Sequence, residues 1–385
     1  MRIAGGVMVS GRHIQRLTQE VGAALAAQRD AQAEQYRRRT LPPRVPAPEV
    51  AVVEVDGGRF GTRASNAGAG VHQPQAKEDK VACLVSMRSP VHPTDPQPEP
   101  PPTFRDARRV ARLVQQLHGK TPAMENPTEN SSETLANTAA ADETPERTGP
   151  QRVLRTCVAS LYGSRSFAPL VAAEAQARGF FETGRQAFLG DGQRYNWWIQ
   201  RAYFPDAVPI ADFLHVLAYL YTAAYAVQPD AAAQWSQCEQ WMRACWQGRA
   251  GEVIADLQRW QHHLGPAPPA AAADDARQVV FTTLGYLSNN RTRMDYPRYR
   301  RLGLPVTSSL VESLVGEFNA RVKGRDKWWN RPAGGDGLTG AEAILQVRAA
   351  VLSEDGRLRR YFAERRGQAY RRHRPAPRPR KTIAA

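Results

Sequence analysis

The sequence predicts an α/β protein in which a mixed sheet is interrupted by a large helical stretch. Three observations carry that expectation. The β-branched run Glu49-Val-Ala-Val-Val-Glu-Val-Asp56 stops at Gly57-Gly58, a strand–helix–strand pattern runs from Ala187 to Asp212, and a helical, tryptophan-rich periodicity runs from Phe213 to about Leu264. With 385 residues, 42% of them hydrophobic, the chain can bury a substantial core, while 29 prolines and 29 glycines mark part of it as linker.

Taken in order, Ser10 is placed to cap a helix whose apolar stripe is Ile14, Leu17, Val21 and Leu25. Arg12, His13, Gln15 and Arg16 would suit a DNA groove if this were the last helix of a helix-turn-helix, and would equally suit the solvated face of an amphipathic helix. Residues 1–40 are therefore read as the helical remnant of an N-terminal DNA-binding region and 41–48 as a linker. The first strand then runs into Asp56 and a tight turn at Gly57-Gly58, with Phe60 to Arg63 and Val81 to Met87 supplying two more strands of a meander.

Pro90 to Pro102 is proline-rich, and Asp106 to Leu117 reads as a helix. Residues 120–150, polar and acidic with almost no large apolar side chain, read as a disordered or surface loop. Order resumes at Val153, with a helix over Phe167 to Gly179. Strands at Ala187-Phe-Leu-Gly-Asp-Gly192 and Val208-Pro-Ile-Ala-Asp212 flank a helix over Tyr195 to Phe204. The core thus covers 49–215 and, after a helical insertion at 216–305, 306–362. Trp235, Trp241, Trp246 and Trp260 belong to the packing of that insertion, which is hinged at Gly265-Pro-Ala-Pro-Pro269. Further helices are expected over Asp274 to Tyr286, Ser308 to Val322 and Gly340 to Ser353, and 363–385 reads as a basic, proline-broken, disordered tail.

The balance of 52 Lys+Arg against 37 Asp+Glu, net +15, favours a phosphate-bearing partner, with nucleic acid first among them. No apolar run approaches the roughly 20 residues that cross a bilayer, and the first residues lack a signal-peptide h-region. A cytoplasmic, nucleoid-associated protein with no membrane partner is the expectation. Cys83, Cys157, Cys238 and Cys245 lack CxxC spacing, so neither a disulfide framework nor a zinc knuckle is indicated.

Three strands, a β-α-β unit and a late helix are the parts of an RNase H-like sheet. In that layout Asp56 ends the first strand, Asp191 ends the fourth, and Glu312 lies on a helix beyond the insertion, a carboxylate set able to hold two divalent ions about 4 Å apart. Each acid also has a structural reading: Asp56 and Asp191-Gly192 as turn residues, Glu312 as the fourth member of a Ser309-x-x-Glu capping box. Asp212 is a natural N-cap with His215 one turn on, either an ordering pair or accessory groups near a scissile phosphate. Arg291, Arg293, Arg298, Arg300, Arg301, Arg321 and Lys323 surround Glu312 in sequence and would hold a DNA backbone. Trp328-Trp329 would stack on an unpaired base or pack against the last helix.

Seven strings carry a resemblance to a known family. They are Val53-Glu-Val-Asp-Gly-Gly-Arg59, Ala187-Phe-Leu-Gly-Asp-Gly192, Pro209-Ile-Ala-Asp-Phe-Leu-His215, Tyr286-Leu-Ser-Asn-Asn-Arg291, Met294-Asp-Tyr-Pro-Arg-Tyr-Arg300, Gly303-Leu-Pro-Val-Thr-Ser-Ser-Leu-Val-Glu-Ser313 and Gly340-Ala-Glu-Ala-Ile-Leu-Gln-Val-Arg348. Spanning about residues 50 to 355, the set resembles the DDE transposases of bacterial insertion sequences, the Kra-type group, which is similar to the Mutator-like transposases. The resemblance implies a catalytic triad of Asp56, Asp191 and Glu312 holding two Mg²⁺ or Mn²⁺ ions. It also implies an Asp212-x-x-His215 element, with Asp212 competing with Asp191 as second acid, and a homo-oligomer acting on element ends and target DNA. The shortened N-terminal region and the long acidic stretch at 120–150 depart from the family pattern. A non-catalytic DNA-binding remnant and an RNase H-like nuclease without strand transfer share the same residues.

Overall fold

In the computed structural model, the described residues are 10–63, 75–117, 149–307, 317, 329–330 and 340–365. Five strands form one mixed sheet: β1 (Val50–Arg63), β2 (Gln75–Arg88), β3 (Gln151–Ser160), β4 (Gln186–Gly190) and β5 (Val208–Ala211), in spatial order β3-β2-β1-β4-β5. β2 is antiparallel to both neighbours, while β1, β4 and β5 run parallel. A two-residue strand, β6 (Trp329–Asn330), pairs with β1 at Thr62 and Arg63. Parallel neighbours need crossover connections, and α4 (Arg194–Tyr203) supplies the one between β4 and β5.

Strand alternation divides the core in two. Val50 and Val52 join Val81, Cys83 and Val85 on one face, covered by α2 (Ala107–Leu117), α5 (Phe213–Val227), α6 (Ala231–Trp246), α7 (Ala250–Leu264) and α8 (Ala276–Asn290). Ala51, Val53 and Val55 join Ala82, Leu84 and Phe188 on the other face, against α1 (Gly11–Arg37), α3 (Ser164–Ala177) and α4. Trp241 and Trp246 are buried in the helical stretch, as expected of packing residues. The short helix α9 (Tyr296–Arg301) follows α8, and α10 (Gly340–Leu352) and α11 (Arg357–Arg365) complete the described chain.

The outer edge of β3 is closed by the first turn of α10 and by the residues that follow its end. Arg155 N donates to Glu354 Oε2 (2.8 Å), Cys157 N to Ser353 Oγ (3.0 Å) and Leu161 N to Glu342 Oε2 (2.7 Å), so amides that would otherwise template another strand are occupied. Glu342 also pairs with Arg29 of α1 at 2.7 Å, and that guanidinium donates to Ala159 O (3.0 Å). This network ties the first helix, the edge strand and α10 into one body.

Three expectations change. Gly57-Gly58 is no turn: β1 continues through it to Arg63, paired with β2 as far as Thr62 opposite Gln75, and the missing side chain of Gly57 leaves room where a Cβ would stand 2.9 Å from Glu78 Oε1 and 3.2 Å from Tyr195 Oη. The segment Phe60 to Arg63 is therefore part of the first strand, and the third strand is β3, after the acidic stretch. In α1 the buried face is Gly22, Ala26 and Ala33, while Leu17 is 43% exposed, because this helix docks through small residues on α3 and α10 rather than through its larger aliphatic stripe. Most of the acidic stretch at 120–150, most of the helix expected over Ser308 to Val322 and most of the basic tail lie outside the described residues. No helix among the described residues is long and apolar enough to cross a membrane.

Gly22 is where α1 and α10 approach most closely, since an added Cβ would lie 2.3 Å from Ala343 O and 2.5 Å from Ala343 Cα. Alanine in a helix interior ordinarily gains about 1 kcal/mol over glycine. Here backbone would have to move, so Gly22→Ala should instead destabilise by about 1–3 kcal/mol in urea unfolding. Gly11→Ala, with nothing within 4 Å of its added methyl, should cost nothing.

Candidate active site

The β1–β4 ladder ends with Val55 opposite Gly190, so the next residues on these parallel strands are Asp56 and Asp191. Both line one small recess with Glu54 and His215. Asp56 thus sits at the end of a ladder, partway along its own strand, and the expectation that it ends β1 is corrected. Its Oδ1 accepts from Gly57 N at 2.7 Å. Burial, and next the charge of Asp191, push the Asp56 carboxyl up to about 6, against the opposing effects of His215 and the Gly57 amide.

Asp191 is held rigidly. Its Oδ1 accepts from Gln193 N (3.0 Å) and Asn196 Nδ2 (2.8 Å), and its Oδ2 from Gln193 Nε2 (2.8 Å). Asn196 Nδ2 also donates to Val55 O at 3.2 Å, so one side chain of α4 ties both strand ends together. Gly192 has φ +98°, and a Cβ there would come within 2.5 Å of the Tyr286 ring. The Asp191-Gly192 turn is therefore closed by α8, which places the Tyr286 to Arg291 string at the acid pair.

Asp212 takes a different position. It is fully buried, its Oδ1 caps α5 by accepting from Leu214 N (3.3 Å), and its Oδ2 is hydrogen-bonded to His215 Nδ1 at 2.7 Å. Asp212 N donates to Gly190 O (3.0 Å), so the cap is fastened to the end of β4. Asp212 orients His215 toward the recess, and it is Asp191 that stands beside Asp56. Phe213 N donates to Val306 O at 3.0 Å, bringing the chain back to this end of the sheet six residues before Glu312, which itself lies outside the described residues.

The basic residues divide. Arg291, Arg298 and Arg301 are exposed, and Arg293 lies 4.5 Å over the Trp197 ring with Nη1 donating to Asn289 O (2.9 Å). Arg300 does not join them: it is buried, paired with Asp95 (Nε–Oδ1 2.8 Å), donating to Trp246 O (3.0 Å) and stacked 4.2 Å over the Trp246 ring. Its charge is committed to holding the 89–101 segment on α9, so it is not placed for DNA. Arg321, Lys323 and Trp328 lie outside the described residues.

Two groups were not singled out from sequence. Glu54 is buried two residues before Asp56 on the same strand face, a position the period of 2 makes readable. Tyr286 stacks on Tyr219 with centroids 3.9 Å apart, and burial, Asp212 and Asp191 push its phenol well up.

Among the described residues no three His, Cys, Asp or Glu side chains gather as a metal-binding group. The pair Asp56 and Asp191 nevertheless fits a hard divalent cation, since Mg²⁺ is commonly held by one or two carboxylates with substrate phosphates and water completing its shell. The mutual charge that raises Asp56 is what such a cation would relieve.

An Asp with a raised folded-state pKa holds its proton more tightly folded than unfolded. The stability that proton contributes is fully present below the ordinary value of 3.8 and is lost as pH rises through about 6. In chelator, Asp56→Asn should match the parent near pH 3.5 and exceed its stability at pH 8 by roughly 1–3 kcal/mol, the part-exposed carboxylate keeping the gain below the full linkage value. Urea titrations at the two pH values measure this. No protein-family model and no curated protein matches the chain, and the site is read from its own residues.

Proposed function

We propose that this chain is a DDE-type transposase of a bacterial insertion sequence, built on an RNase H-like sheet. It would cleave DNA strands at element ends with the help of Mg²⁺ or Mn²⁺ and join the freed 3′-hydroxyl to target DNA, working in the cytoplasm on the nucleoid. The observation that carries the reading is the placement of Asp56 and Asp191 side by side just past the end of the parallel β1–β4 ladder, with His215 at the same recess. The strand order β3-β2-β1-β4-β5, with only β2 reversed, and the long helical stretch between β5 and the last helices are what such a fold calls for. The string resemblance adds Glu312 as third acid and a homo-oligomer on paired ends.

In this reading Asp56 and Asp191 hold the divalent ions together with Glu312. Those ions would activate the attacking oxygen and stabilise the leaving one. Asp56 gives up its proton on taking a cation, which favours activity above pH about 6. Asn196 fixes the distance between the two acids through Val55 O and Asp191. Asp212 keeps the His215 ring at the recess, where it can hydrogen-bond a phosphate oxygen or a proton in transit. Exposed Arg291, Arg298 and Arg301, with Arg293, would contact phosphates, a role that positions DNA without reading its sequence.

The test is Mn²⁺-dependent nicking and strand transfer on labelled element-end duplex. Asp56→Ala, Asp191→Ala and Glu312→Ala should each lose on the order of a hundredfold or more. Asp212→Ala should keep partial activity while losing about 1 kcal/mol of stability with its cap. Undiminished activity in Asp191→Ala would falsify the assignment.

A further inference from the structure

Arg194 opens α4 three residues after Asp191, and Arg201 follows it by seven. Seven residues turn a helix through about 700°, so both side chains leave α4 within roughly 20° of one direction, about 10 Å apart along the axis. Both are exposed. Between them, at the margin of that face, lies Trp197, whose indole Nε1 donates to Asn290 Oδ1 (3.0 Å) and whose ring carries the Arg293 guanidinium at 4.5 Å. Three guanidiniums therefore stand along one side of α4, starting at the turn that bears Asp191.

Most arginines with a structural role in this protein face a carboxylate: Arg29 on Glu342, Arg300 on Asp95, Arg357 on Glu174. Among the described residues none of Arg194, Arg201 and Arg293 forms an ion pair with a carboxylate; Arg293 spends one donor on Asn289 O. Burial and the neighbouring charge of Arg201 both disfavour the charged form of Arg293. Cations gathered without an internal anion are stabilised by an external one, and the planar guanidinium presents paired donors that match phosphate oxygens. A span of about 10 Å reaches successive phosphates along one DNA strand.

We infer that Arg194 and Arg201, with Arg293 seated on Trp197, form a track for the phosphate backbone of duplex DNA leading away from the Asp56–Asp191 pair. The inference rests on the proposed function and adds residues of α4 to its DNA contacts. The track is sequence-independent and fixes the strand's direction relative to the acids.

The experiment is a salt titration of binding to a random-sequence duplex of about 30 base pairs, in EDTA so that no cleavage intervenes, read by fluorescence anisotropy. Each lost phosphate contact makes the slope of log K against log salt shallower by about 0.9. Arg194→Ala/Arg201→Ala should lose about 1.8 of slope and the triple variant with Arg293→Ala about 2.7. The charge-matched Arg359→Ala/Arg365→Ala on α11 should leave the slope unchanged. The substituted α4 side chains are exposed, and an unaltered thermal melt by circular dichroism verifies the fold. A double variant whose slope equals that of the α11 control overturns the track while Mn²⁺-dependent cleavage by the parent protein leaves the proposed function standing. Absence of DNA binding by the parent overturns both, and a slope loss seen with duplex RNA alone overturns the choice of DNA.

Discussion

The pairing of β1 with β4 forces two carboxylates against each other, and the rest of this end of the molecule is arranged around that contact. With Val55 fixed opposite Gly190, Asp56 and Asp191 cannot separate without breaking the parallel ladder, and a one-residue slip would turn one of them to the other face. The cost appears on Asp56, whose carboxyl is pushed up by burial and by its neighbour. Asp191 is given three hydrogen bonds that hold it in place, while Asp56 accepts from the Gly57 amide. A fold that only needed a turn here would have no use for an acid at both positions. The unequal treatment leaves one well-anchored carboxylate and one that gains by binding a cation.

That ladder is protected from the opposite side of the sheet. β3 would be a free edge, yet Ser353, Glu354 and Glu342 take its amides, and Arg29 links Glu342 to α1. The Arg29–Glu342 pair is buried and extensively hydrogen-bonded, with Ser160, Gln346 and Ala159 sharing it, which is the condition under which a buried ion pair avoids a net penalty. The close contact of Gly22 with Ala343 sets the helix spacing that lets this pair form. The buried ion pair thus sits at the β3 edge, and the like-charge pair at the inner strands.

Much of this was legible in the sequence because it follows from periodicity. The β-branched run gave β1, the Ala187 to Asp212 pattern gave β4, α4 and β5 to within a few residues, and the tryptophan-rich stretch gave helices packed through their indoles. Gly57-Gly58 misled because glycine pairs usually mark turns, whereas here the absent side chain makes room for Tyr195 and Glu78. The buried face of α1 was hidden because small residues carry weak hydrophobic signal, although they allow the closest helix contact. Arg300 could not be separated from its exposed neighbours by composition, since its partner Asp95 lies 205 positions away in the chain. The competition between Asp191 and Asp212 depended on which acid faces β1, and only register can decide that.

The distribution of charge around the acid pair follows the same logic as the pair itself. Acids collect around the end of the β1–β4 ladder: Glu54, Asp56, Asp191 and, capping α5 beside them, Asp212. Among the described residues no arginine forms an ion pair with Asp56 or Asp191. Arg293 lies over Trp197, whose indole donates to Asn290. Had a guanidinium reached the two carboxylates, it would have formed a stable ion pair and excluded a divalent ion from the same oxygens. In the proposed reading, separation of the two signs would keep the acids available to a metal and the arginines available to phosphate. On that reading a phosphodiester would suit both halves, its charged non-bridging oxygens facing a cation held by the acids and its neighbouring phosphates facing the guanidiniums.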